Sequence, residues 1–374
     1  MTLSILHLAN HCERGGNVHL AVDLACEQAT RGHSVAFASA GGRFVALLER
    51  NGVRHVRLEQ SLRSPTRPVR AAARLVALCR GDRPDVLHAH MMSGAVLGRL
   101  AGTLLGIPLV TTVHNSFDPH AWLMRLGDRV VAVSRAEREP LLARGFPAAR
   151  LEVVVNGTLG SVRSEVEPES SAVRLPRPCI TTLCGLERRK GVHDVIEAFA
   201  RAAASAPQWR LIVAGDGPER RALEQQAAVS GYADRIAFIG HVEEPRHVLA
   251  QTDVFVLAST AEPFGLGILE AREAGCAIVG TRVGGIVEQL EHDRFGTTVP
   301  PGRPDLLSGA LLRLMTDSKS LAEARRRSRQ GLAYYGVGRM AGEYLAVYEG
   351  VIRSRDAGVQ TTGVSLRTSS APGK

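Results

Sequence analysis

Residues 254–288 fix the kind of fold available to this chain, because they read as a buried strand, a glycine turn and a helix in succession. Val254–Ala258 is an apolar run with no polar alternation, the pattern of a strand covered on both faces of a parallel sheet. Pro263, Phe264 and Gly265 predict a tight turn, and Leu266–Ala274 carries helical apolar spacing that Gly275 ends. Such a turn offers free backbone N–H groups at the positive end of a helix, which suits a phosphate or a sugar hydroxyl. Glu262 precedes the turn. Glu270 lies inside the helix among Ile268, Leu269, Ala271 and Ala274. A carboxylate in apolar surroundings needs a partner, and the vicinal hydroxyls of a ribose offer two donors to one acceptor group. The competing reading is a surface ion pair from Glu270 to Arg272 or Arg282.

The same strand–turn–helix unit recurs along the chain. Thr2–Ala9 is an apolar strand leading through Asn10 to Gly15-Gly16, after which Val18, Leu20, Ala21, Leu24 and Ala25 mark a helical face. Asp85–His90 and Leu109–Val113 read as further strands, the second delivering His114-Asn115 at its carboxyl end, where α/β sheets place ligand-binding groups. His88 and His90 read as hydrogen-bond nodes. Gly160–Pro178 is rich in Ser, Glu and Pro and reads as a linker. A second array then starts at Cys179–Cys184, continues through Gly185-Leu-Glu-Arg-Arg-Lys-Gly191 into a helix, and reaches Gly215-Asp-Gly-Pro-Glu219. Lys190, with Arg188 and Arg189 before it, makes a cationic loop at a helix start that fits a diphosphate. Met340–Val351 predicts a last helix, and Ala357–Lys374 is Gly/Ser/Thr-rich, as disordered tails are.

Composition narrows the partners. A net charge of +9 over 374 residues favours anions, but an aromatic content of 4% and dispersed basic residues argue against nucleic acid. No apolar run reaches the ~20 residues that span a bilayer, and the N-terminus reads as a first strand rather than a signal peptide. The six cysteines lack metal-ligand spacing and read as reduced thiols of a cytoplasmic protein. Arg63, Arg67, Arg70 and Arg74 recur at helical spacing after Ser61, with Pro68 near the helix start. That stripe reads either as a solvated outer face or as a dock for an anionic membrane surface or charged acceptor.

Glu262 and Glu270 with Phe264-Gly265 between them, then Gly275-Cys-Ala-Ile-Val-Gly-Thr281 and Gly284-Gly-Ile-Val-Glu288, together strongly resemble glycosyltransferase family 4. The resemblance covers most of residues 1–350. It implies an α/β GT-B fold, two Rossmann-like doubly wound parallel-sheet domains facing across a cleft. The implied order is an acceptor-side domain over 1–160, a linker over 161–178 and a nucleotide-sugar domain over 179–335. A helix over 336–356 then crosses back to the first domain, and a disordered tail fills 357–374.

The resemblance also implies a retaining hexosyltransferase that uses a UDP- or GDP-sugar, needs no metal, and acts on a glycan or lipid-linked hydroxyl in envelope or exopolysaccharide synthesis. Gly15 and Gly16 approach the donor phosphate, His114 and Glu262 orient the sugar, and Glu270 holds the ribose. The Phe264-Gly265-Leu266 turn and Lys190 stabilise the departing diphosphate, while His241 and Val242 lie by the base. The family's arginine ahead of that lysine falls on Gly185, so Arg188 or Arg189 takes its place, and the aspartate that often follows Asn156-Gly157 is absent. A phosphorylase-like enzyme, or an inactive sugar-nucleotide-binding or scaffold subunit, is the alternative on this fold.

Overall fold

The computed structural model describes residues 1–13, 15–60, 66–165 and 174–364, with side chains undescribed at 66, 67, 164, 165 and 356–364. The chain divides into two compact units, one of Met1–Val133, Arg138–Asn156 and Val337 onward, the other of Ser134–Glu137 and Gly157–Gly336.

In the first unit seven strands form one parallel sheet: β1 (Ser4–Leu8), β2 (Ser34–Ser39), β3 (Arg54–Arg57), β4 (Val86–Ala89), β5 (Leu109–Val113), β6 (Arg129–Ala132) and β7 (Leu151–Val153). Their order is β3-β2-β1-β4-β5-β6-β7. The inner strands are short and mostly apolar because the sheet is covered on both faces, whereas β3, Arg-His-Val-Arg, lies at the sheet edge with exposed ends. The order reverses between β1 and β4, which opens a crevice at their carboxyl ends. In the second unit β8 (Cys179–Leu183), β9 (Arg210–Ala214), β10 (Ile236–Gly240), β11 (Val254–Leu257), β12 (Ala277–Thr281) and β13 (Thr297–Val299) repeat the plan. Their order is β10-β9-β8-β11-β12-β13, and the reversal falls between β8 and β11.

The expected helix at the arginine stripe runs over Thr66–Asp82, with Ala71, Leu75 and Cys79 buried and Arg70 and Arg74 exposed. Arg63 and the Arg67 side chain lie outside the described residues. The last helix differs from expectation. It spans Val337–Val364, so residues 357–364, expected to belong to a disordered tail, are helical in backbone. Its buried Tyr344, Tyr348 and Val351 anchor it, and once anchored a helix gains one hydrogen bond for each residue it adds, whatever that residue's propensity to start one. The basic helix expected at 320–330 occupies Ser318–Ser328, with Asp317 capping it through the Lys319 and Ser320 amides. Of the linker, Val162–Glu165 form a short helical turn and 166–173 lie outside the described residues. All six cysteines are free thiols. No helix among the described residues is long and apolar enough to cross a membrane.

Candidate functional site

The switch in strand order of the second unit brings together two loops more than seventy residues apart in sequence. The loop after β8 closes in a 3-10 turn at Arg188–Lys190, and Gly191 then starts the helix Val192–Ala203. Gly191 has φ 65°, and a Cβ there would stand 2.0 Å from the Ala258 carbonyl oxygen, so only glycine lets this loop lie against the end of β11. The close approach places Lys190 Nζ 2.6 Å from Glu262 Oε2. Ser259 Oγ donates to the same oxygen at 3.0 Å, and the Glu262 carbonyl accepts from the Gly285 amide at 2.9 Å. Glu262 is thus a buried carboxylate held by a cation, a hydroxyl and a fixed backbone.

The two candidate arginines separate clearly. Arg189 donates to the Ala261 carbonyl at 2.9 Å and stands 3.7 Å from Glu262. Arg188 points away, its side chain 82% exposed and 3.8 Å from Glu219. The geometry therefore puts Arg189, not Arg188, beside Lys190.

After Glu262 the chain turns through Pro263, buried Phe264 and Gly265, which has φ 90° and caps the helix Leu266–Ala274. Side chains that the sequence reading did not single out hold this turn. Ser134 Oγ donates to the Pro263 carbonyl at 2.6 Å, and Gln289 Nε2 donates to the Phe264 and Gly265 carbonyls, the latter at 3.1 Å. Glu270 lies on the helix at 4% exposure, a buried carboxylate rather than a surface one. Arg272 is fully buried and donates instead to the carbonyls of Ser328, Gln289 and Gln330. Arg282 stands 3.7 Å from Asp293. His241 is exposed and Val242 half-buried after β10, against the small apolar cluster around Leu175, Ile212 and Val248.

In the first unit, Gly15 (φ 110°) and Gly16 are exposed at the start of the helix Gly16–Thr30. His114 follows β5 and lines a cavity of about 810 Å³ with Asn10, Asn17, Gln60, Ser93 and Asp118 among others. His88 and His90, read from the sequence as hydrogen-bond nodes, lie behind it in a cluster that His7 joins. His7 of β1 is the register partner of His88 on β4. His90 follows two residues later on the same face. Their neighbours are Thr112 on β5, Gln28 on the first helix and Tyr344 and Tyr348 on the last. His88 Nδ1 contacts Tyr348 OH at 2.7 Å and its Nε2 contacts Thr112 Oγ1 at 2.8 Å. Burial holds the pKa of His88 and His90 well below the usual 6.5 and brings His7 and His114 down to about 4. The signal for this cluster was the alternation His88-Ala89-His90 in a strand, which puts both rings on one face.

Known proteins are similar to this chain in sequence and in fold. A family model described as glycosyltransferase family 4 matches residues 14–158, and one described as glycosyl transferases group 1 matches residues 164–331. N-acetyl-alpha-D-glucosaminyl L-malate synthase of Bacillus anthracis is 25% identical over 91% of this chain and 95% of its own length. Glycogen synthase of Mycobacterium tuberculosis is 30% identical over 71% of this chain and 68% of its own. Among solved structures, Anabaena HepE in complex with UDP and glucose superposes with a TM-score of 0.79 at 22% identity, covering 93% of this chain and all of that one.

Proposed function

The chain belongs to glycosyltransferase family 4 with a GT-B fold of two Rossmann-like domains, and on that premise we propose that it is a retaining hexosyltransferase. It moves a hexose-type sugar from a UDP- or GDP-sugar to a hydroxyl of a glycan or lipid-linked acceptor, in envelope or exopolysaccharide synthesis at the cytoplasmic side. The observation that carries this reading is the Lys190–Glu262 pair at the strand-order reversal, beside the glycine-capped helix that bears buried Glu270.

Loss of the nucleotide builds negative charge on the diphosphate and positive charge on the sugar ring. Lys190 and Arg189, with the N–H groups of the Phe264-Gly265-Leu266 turn, are the positive ends for that charge. This set supplies the stabilisation without a metal. An entering phosphate competes with Glu262 for Lys190, which frees the carboxylate for the sugar, while His114 orients the sugar, Glu270 accepts from the ribose hydroxyls and His241 and Val242 flank the base. Retention follows a front-face route in which the departing phosphate takes the acceptor proton. HepE, bound to UDP and glucose, supports the UDP donor by likeness of fold.

The deciding experiment is a screen of UDP- and GDP-sugars for nucleotide release, with and without acceptor extract. Release that rises with acceptor supports the transferase, and binding of every donor without release would overturn it. The exposed Arg70 and Arg74, with Arg67, give a second expectation: salt-sensitive adhesion to anionic vesicles, each arginine adding on the order of 1 kcal/mol. An R67Q/R70Q/R74Q variant should lose that adhesion in sedimentation assays and keep nucleotide release. Adhesion equal to that of the parent returns this helix to a plain solvated face.

A further inference from the structure

The turn Pro263–Leu266 carries its chemistry in its backbone, so the side chains that fix the direction of each peptide matter. In a trans peptide the carbonyl and the N–H point to opposite sides of the chain, and the one cis bond among the described residues is Arg177-Pro178. Holding a carbonyl therefore aims the next residue's N–H the other way. Ser134 Oγ, of the same unit, holds the Pro263 carbonyl at 2.6 Å, which sets the Phe264 N–H. Gln289 Nε2 donates to the Phe264 carbonyl and, at 3.1 Å, to the Gly265 carbonyl, which sets the N–H groups of Gly265 and Leu266. The Ile268 amide adds a second hold on the Gly265 carbonyl at 2.9 Å. Three successive carbonyls are thus engaged, and among the described residues the amides of Phe264, Gly265 and Leu266 have no acceptor. Successive free amides around a left-handed residue, here Gly265 at φ 90°, make a concavity that suits an anion.

Gln289 is fully buried at the end of the short helix Gly284–Gln289. Its own backbone is pinned, because its carbonyl accepts from Arg272 Nη1 at 2.6 Å. Arg272 is in turn packed with its guanidinium 4.7 Å from the Phe295 ring and 5.4 Å from the Tyr335 ring. The orientation of the carboxamide follows from its neighbours, since the reverse would set Oε1 against two carbonyl oxygens. As placed, Oε1 is buried with no partner. An orphan acceptor lowers stability, and a leucine would fill this position without one, so packing alone does not account for a glutamine here. We infer that Gln289, with Ser134, is a positioning residue of the donor site: it turns the Gly265 and Leu266 amides away from the buried carboxamide as a preset cradle for a diphosphate. The cradle exists before the anion arrives, so no peptide has to reorient while charge builds on the leaving group. Neither side chain touches the ligand.

The inference rests on the sugar-nucleotide reading and adds to it the side chains that aim the backbone. Inorganic pyrophosphate is the probe, because it reports on the cradle whichever base the donor carries. In 1H–15N spectra of the full chain, pyrophosphate should shift the Gly265 and Leu266 amides of the parent. Gln289→Leu exchanges one orphan acceptor, Oε1, for another, the Phe264 carbonyl, so its Tm should stay within about 4 °C of the parent's. Its pyrophosphate affinity should nevertheless fall about tenfold or more. Whichever of UDP and GDP binds the parent should lose the same factor in Q289L, while the matching nucleoside, uridine or guanosine, binds unchanged. A merely structural lesion would weaken both. Ser134→Ala should weaken pyrophosphate less and alter mainly the Phe264 amide, and it decides the matter if Q289L does not fold. Pyrophosphate bound by both variants as tightly as by the parent, pyrophosphate bound without movement of these amides, or nucleoside binding lost in proportion would overturn the inference. A parent that takes pyrophosphate at these amides but neither UDP nor GDP would sink the nucleotide-sugar reading and leave the cradle standing.

Discussion

Glu270 sits at 4% exposure on an apolar helix, so removing its carboxylate tests the ribose role directly. Charge-assisted hydrogen bonds are worth about 1.5–3 kcal/mol, and Glu270→Ala should weaken UDP or GDP binding by roughly one to two decades in calorimetry. Unchanged affinity in a folded variant would remove the ribose assignment. Lys190 belongs to a different step, because the charge it faces grows toward the transition state. Lys190→Ala should therefore lower kcat more than it raises the donor's dissociation constant. Arg189→Ala should follow it partway, and Arg188→Ala should be close to silent, given where the two side chains lie. Residues of this kind were legible in the sequence because Lys190-Gly191 and Glu262–Leu266 are contiguous motifs on predictable turns. The choice between Arg188 and Arg189 was not, since neighbours in a tight turn point in different directions and spacing carries no record of which. His7 was hidden for another reason: it meets His90 from a position 83 residues away, and only the strand order makes them neighbours.

At the scale of elements, the loop from β8 and the end of β11 are held in contact by a missing side chain. Gly191→Ala adds a methyl 2.0 Å from the Ala258 carbonyl at φ 65°. Strain of this sort costs on the order of 1–3 kcal/mol before the clash is relieved. The expected result is a lower Tm together with a loss of turnover, because the displaced loop carries Lys190. A Tm equal to the parent's would show that the loop can move away freely. The βα alternation itself was readable almost strand for strand, since covered parallel strands are plain apolar runs. Helix ends were less so. Composition suggested an exit from the last helix at residue 357, and the backbone runs on to Val364. Residue preferences weigh little once packing at Tyr344 and Tyr348 has already set the axis.

For the whole molecule, the neutral histidine cluster makes stability depend on acidity. The folded pKa of His7 and of His114 is depressed from 6.5 to about 4, so between those values the unfolded chain binds more protons than the folded one. Stability is then full above about pH 7 and falls as pH drops from 6.5 toward 4. One such histidine removes on the order of 3 kcal/mol across that window. Urea midpoints for the first unit should decline over this range, and a flat profile would show that the rings are hydrated. The resemblance implied two domains and a last helix over 336–356 that returns to the first, but gave no sign of the four-residue exchange at 134–137. Ser134–Glu137 belong to the second unit, and Val337 onward to the first.

That sharing reverses the order of birth and completion. The second unit runs almost unbroken from Gly157 to Gly336, so a ribosome releases what it needs in one stretch, apart from four residues already made. The first unit is begun first and finished last. Until Tyr344 and Tyr348 emerge, Gln28, His88 and Thr112 have no hydroxyl to pair with. The opening 150 residues must therefore wait, incomplete, through most of the chain's synthesis.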